Sequence, residues 1–98
     1  MIVGILRLTF HIHGASSLKD KRSVLRKLRD RVRSRFNVSW NEVSDQDVHE
    51  RAVIGVSAIS SDERYLDGLL NKVVDEVEAT YVAELVDREM ELVHWFGS

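Results

Sequence analysis

Ser17–Phe36, SLKDKRSVLRKLRDRVRSRF, is the stretch on which the reading of the fold turns. On a 100° wheel Leu18, Leu25, Leu28, Val32 and Phe36 form one apolar stripe, with Val24 at its edge. Ser17 reads as the N-cap, since its hydroxyl can accept from a free first-turn amide, and Asp20 stands where a capping-box acid belongs. About twenty residues give a rod of roughly 30 Å. A helix of that length with one apolar face needs a sheet to cover, and the flanking segments supply it.

Met1–His13 alternates with period two. Ile2, Gly4, Leu6, Leu8, Phe10 and Ile12 share the core face, and Val3, Ile5, Arg7, Thr9, His11 and His13 share the other. Downstream, residues 37–43 read as a second strand, the Ser44-Asp45-Gln46-Asp47 cluster as a turn, and residues 50–60 as a central strand apolar on both faces. Ser60 and Glu63 have capping-box spacing and open a second helix that buries Leu66, Leu69, Leu70, Val73 and Val77 and ends near Thr80. Residues 82–93 alternate again. Val86, Met90 and Leu92 are expected on the core, with Asp87, Glu89 and Glu91 outward. The order βαββαβ predicts an α+β, ferredoxin-like sandwich: a four-stranded antiparallel sheet with two helices on one face, in a single domain over residues 1–98.

The same helix polarises the charge. It holds nine of the fourteen basic residues against only Asp20 and Asp30, a local net of +7, so the remainder carries −9 within a total of −2. Lys19, Arg22, Arg26, Arg29 and Arg33 fall in one stripe about 80° wide, with Lys27 and Arg31 at its margin. Helix stability does not select this pattern. Cations in the first turns oppose the dipole, and Arg22/Arg26, Arg29/Arg33, Lys27/Arg31 and Arg31/Arg35 repel at i,i+4. Arginine outnumbers lysine six to three, which favours bidentate phosphate recognition. The leading reading is a phosphate- or RNA-binding face. The competing ones are a solvated face partly neutralised by Asp67, Asp75 and Glu78 of the second helix, and a dock for an acidic protein.

The composition removes several classes. No cysteine excludes disulfides, thiolate zinc sites and cysteine nucleophiles. MIVGILRLTF lacks the basic start of a signal peptide, and Arg7 interrupts its apolar run; no segment approaches the ~20 apolar residues of a membrane span. A cytoplasmic location without membrane contact is the expectation. No Gly-rich phosphate loop, nucleophile elbow or HExxH occurs, so neither an enzyme nor a cofactor is expected.

The blocks Ser17-Leu18-Lys19-Asp20-Lys21-Arg22, Arg35-Phe36-Asn37-Val38-Ser39, Glu42-Val43 and Asp45-Gln46-Asp47 resemble the YlxP-like family of small uncharacterised bacterial proteins. The resemblance spans almost the whole chain and implies a ferredoxin-like fold. The family's genes often neighbour those for translation initiation and ribosome maturation, which implies a ribosome-linked role by association. The family offers no catalytic residues to carry over, and His49 departs from the aromatic residue often found at its position.

Three smaller features complete the reading. RNA-recognition domains of this topology stack bases on aromatics of the central strands, but the outward positions here are Arg7, Thr9, His11, His13, Val53, Gly55, Ser57 and Ile59. RNA would therefore be held by its backbone and shape. His11 and His13, with Glu89 or Glu91 beside them, have the elements of a metal site, though a cross-strand polar pair is the commoner meaning. Val3, Ile5, Val53, Ile59 and Leu85 on the uncovered face, joined by Trp95 and Phe96, suggest homodimerisation through the open sheet, the basis of the alternative reading as an interaction or regulatory module.

Overall fold

A computed structural model describes residues 1–97. It runs β1 (Ile2–His11), α1 (Leu18–Arg35), β2 (Ser39–Ser44), β3 (Arg51–Ser60), α2 (Glu63–Thr80) and β4 (Glu84–His94). The strands form one antiparallel sheet in the order β2-β3-β1-β4. The ferredoxin-like fold is therefore the one expected, with the two most apolar strands at its centre.

Period two decides the burial. Leu6, Leu8 and Phe10 of β1 join Ile54 and Val56 of β3 in a single core with Leu28 and Val32 of α1 and Leu66, Leu70, Val73 and Val77 of α2, each at most 1% exposed. On the opposite face Ile5 is 44% and Ile59 64% exposed, so both helices lie on one side. At Gly4 α2 comes close to the sheet: a Cβ there would stand 2.8 Å from Leu70 Cδ1.

Two β-bulges break the alternation, and periodicity alone does not foresee them. In the β1–β4 ladder Thr9 pairs with Asp87 but Phe10 pairs with Leu85, so Val86 is the extra residue. The slip turns Leu85 onto the core and leaves Val86 47% exposed, which corrects both the inward placement of Val86 and the outward placement of Leu85. Met90 and Leu92 do pack on the core. In the β2–β3 ladder Glu42 pairs with Ile54 and Ser44 with Val53, leaving Val43 as the extra residue. Before that bulge Glu42, two residues after Trp40, faces the helix side of the sheet as Trp40 does.

The caps differ in detail. Ser17 Oγ accepts from Asp20 N–H at 3.1 Å, as expected, while the Asp20 carboxylate reaches back to Ser16, accepting from its N–H and hydroxyl at 3.1 and 2.8 Å. These bonds to the charged form, the hydroxyl first, hold the Asp20 carboxyl below its ordinary pKa. For α2 the N-cap is Asp62, not Ser60. β3 pairs through Ser60, whose hydroxyl accepts from Asp62 N–H at 3.1 Å, and Asp62 Oδ1 then accepts from Tyr65 N–H at 3.1 Å.

Candidate nucleic-acid interface

The basic stripe survives folding as a largely free surface. Lys19, Arg22, Arg26, Lys27 and Arg33 are exposed and make no ion pair among the described residues. Arg29 is half-buried and pairs with its neighbour Asp30 at 3.0 Å. Arg31, expected at the margin, turns instead to α2: its Nε donates to Glu76 Oε1 at 2.5 Å, and Arg35 Nη1 donates to the other oxygen at 3.2 Å. Neutralisation thus comes from Glu76, whose side chain is 11% exposed, and not from Asp67, Asp75 or Glu78. The reason is positional. Glu76 sits beside Val77 at the edge of the buried stripe of α2 and so faces α1, whereas Asp67, Asp75 and Glu78 project to solvent.

Arg22, Arg26 and Arg29 are one turn apart and together line a groove of ≈ 290 Å³ between α1 and the edge strand β2. Trp40, Asn41 and Glu42 line the β2 side, above Leu25 and Ile54. Three guanidinium groups above an apolar floor suit a phosphodiester, since each presents a planar fork to two anionic oxygens. Glu42 would oppose an anion there, but its charge is already engaged.

That engagement comes from Lys21, which belongs to the same basic run but is only 1% exposed. Its position, three residues after Leu18 and four before Leu25, puts it on the apolar stripe of α1. The ammonium lies 2.7 Å from Glu42 Oε2 and donates to the carbonyl oxygens of Asp45 and Val48, each at 2.7 Å. Glu42 Oε2 accepts no aligned hydrogen bond, so the ammonium's charge is what compensates its burial. The Asp45-Gln46-Asp47 turn is held from inside by this lysine. Asp45 takes the left-handed conformation, φ 60°, its carbonyl also accepts from Val48 N–H at 3.0 Å, and its carboxylate accepts from Arg51 Nε at 2.7 Å. The turn reading of this motif accounts for its geometry. Sequence reasoning had the signal for Lys21, a cation at a stripe position, and missed it by reading the run as surface charge throughout.

His11, the last residue of β1, and His13 just beyond it find carboxylates other than the ones expected. Glu89 pairs with Arg7, and Glu91 stands opposite Ile5. Glu84 lies 2.7 Å from His13 Nε2, and Glu50 lies 3.7 Å from His11 Nε2. The uncovered sheet face carries no Phe, Tyr or Trp on β1 or β3, and Trp95 and Phe96 stay 52% and 89% exposed beyond the end of β4. Among the described residues no helix is long and apolar enough to cross a membrane.

Residues 3–90 match the model of a family described as "Protein of unknown function (DUF503)". A Bacillus subtilis (strain 168) protein named "Uncharacterized protein YlxP" is 30% identical over 95 residues, which cover 97% of this chain and 100% of that protein. The chain belongs to the DUF503 family, in agreement with the resemblance carried by its SLKDKR and RFNVS blocks. Three of the blocks that carry it meet in space, through Lys21 with Glu42 and Asp45.

Proposed function

We propose that this DUF503 protein is a non-catalytic, cytoplasmic RNA-binding protein that docks on structured RNA, the ribosome or a precursor of it, through the exposed face of α1. The observation that supports the reading most is the set of exposed cations that make no ion pair among the described residues, Lys19, Arg22, Arg26, Lys27 and Arg33. Leaving them unpaired along one helix carries a repulsive cost that phosphate contacts would relieve. Arg29 joins from the groove, and Arg31 joins by exchanging Glu76 for a phosphate. The lack of an aromatic platform on the central strands favours contact with backbone and shape over base identity.

The test is binding to ribosomal subunits and ribosomal RNA across a salt series. Each phosphate neutralised contributes a slope of roughly −0.7 to −0.9 in log K against log[salt].

A second reading, a homodimeric interaction or regulatory module with no nucleic-acid role, draws on the uncovered sheet face. There Ile5 and Ile59 are 44% and 64% exposed, beside a half-buried Val3 that pairs across the strands with Ile59, whereas Val53, expected in the same patch, is buried. Sedimentation of wild type against an Ile5→Lys/Ile59→Lys variant tests it. A dimer lost in the variant supports the module, and a wild-type monomer at high concentration removes it.

A further inference from the structure

The end of β1 assembles a group of side chains that the RNA reading leaves unused. His11 and His13 are two apart, and their ring centroids lie 4.0 Å from each other, inclined at 55°. One ligand atom from each of His11, His13 and Glu84 lies within 4.8 Å of the others, and Glu50 stands 3.7 Å from His11 Nε2. The β4 bulge brings this about. Continuing the register past Thr9–Asp87 without the extra Val86 would place Leu85 opposite His11, whereas the bulge places Glu84 there. The backbone irregularity that moves Leu85 into the core thus also delivers a carboxylate to the two imidazoles.

We propose that His11, His13 and Glu84, with Glu50 as a fourth donor, bind a divalent transition-metal ion of the zinc class. The donor set carries the choice of ion. Imidazole nitrogens with carboxylate oxygens suit zinc and its neighbours in the first transition row, whereas magnesium and calcium take oxygen alone. Ligands about 2.0–2.2 Å from a tetrahedral ion lie roughly 3.3 Å from one another. The 2.7 Å His13–Glu84 contact would open to that spacing and the longer separations close to it. Exposed side chains make such movements by torsion alone, and the side chains of His11, His13, Glu50 and Glu84 are 41%, 66%, 56% and 56% exposed. A single ion would replace the separate His13–Glu84 and His11–Glu50 contacts and bridge all four residues.

The surroundings leave room for a further ligand. His13 and Glu84 also line an open groove of ≈ 520 Å³ with Glu78, Tyr81 and Val82. An ion held by His11, His13 and Glu84 alone keeps its fourth position toward that space for water or a small anionic group, the position that Glu50 fills when it binds. None of the four donors belongs to the basic stripe of α1, so the proposal does not depend on the RNA reading.

The experiment is calorimetric titration of tag-free protein with zinc chloride near neutral pH and physiological salt, on wild type and on His13→Ala, Glu84→Gln and His49→Ala. One zinc per chain is expected for wild type and His49→Ala. His13→Ala and Glu84→Gln should bind roughly tenfold or more weakly, since loss of even an outer-shell partner costs that much. Nuclear magnetic resonance of the wild-type imidazoles gives a reading independent of any variant: zinc should shift His11 and His13 while leaving His49 and His94 in place. No saturable binding, equal binding by His13→Ala, or shifts spread over all four histidines would each overturn the proposal.

Discussion

Lys21 Nζ lies 2.7 Å from Glu42 Oε2, joining the first turn of α1 to the edge strand β2 beneath the surface. Their combined effect reaches the charge pattern outside. Lys21 cancels the one carboxylate lining the arginine groove and fixes the turn that leads from β2 into β3. One cation of the basic run therefore maintains the structure, and so leaves its neighbours free to face a ligand.

Removing Lys21 should be costly. Lys21→Ala strands a largely buried carboxylate and two carbonyl oxygens, and a loss of about 3 kcal/mol is expected. Glu42→Gln should cost less, about 1–2 kcal/mol, because both carbonyls still hold the ammonium. Urea unfolding measures both. A Lys21→Ala loss below that of Glu42→Gln would contradict the role given to the lysine.

Gly4→Ala places a methyl group 2.8 Å from Leu70 Cδ1 in the packed core. Leu70 of α2 is fully buried, so its side chain must repack within the core, at a cost of about 1–3 kcal/mol. A lower unfolding midpoint with unchanged denaturant sensitivity is the expected result.

The architecture was readable because each element repeats one period without interruption over its central residues. Leu6, Leu8 and Phe10 alternate, and Leu25, Leu28 and Val32 recur with helical spacing, so topology and core follow. The departures occur where one residue changes parity or role. Val86 and Val43 are bulged, and a bulge has no composition of its own to announce it. Asp62, rather than Ser60, caps α2 because Ser60 is itself still paired in β3, which moves the cap two residues on. Glu76 and Glu84 escaped attention because their partners, Arg31 and His13, are fixed by tertiary packing and register rather than by spacing along the chain.

Acid stability offers a test of the α1 cap. The Ser16 hydroxyl and amide hold the Asp20 carboxyl below its usual pKa, so its contribution is complete above the unfolded-state value and lost as pH falls through the folded one. Wild type should exceed Asp20→Asn in stability at neutral pH, with the gap closing below about pH 4. A gap independent of pH would show that the ionised carboxylate plays no part. At neutral pH, Ser17→Ala should cost about 1 kcal/mol.

Glu76 competes with any polyanion for Arg31 and Arg35. Glu76→Gln should release both, tightening RNA binding and steepening its salt slope by up to about two phosphates' worth. Because both arginines are about half exposed, the loss of stability should stay within about 1 kcal/mol. Weaker RNA binding by a folded Glu76→Gln would mean that the ion pairs position α1 for its partner instead of masking it.

The most direct test of RNA binding through α1 compares wild type with Arg22→Glu/Arg26→Glu for binding to ribosomal subunits and free ribosomal RNA across a salt series. Both positions are exposed, so the variant should fold like wild type. The account predicts salt-sensitive binding by wild type that the folded variant loses. Absence of wild-type binding even at low salt, or equal binding by the variant, would contradict it.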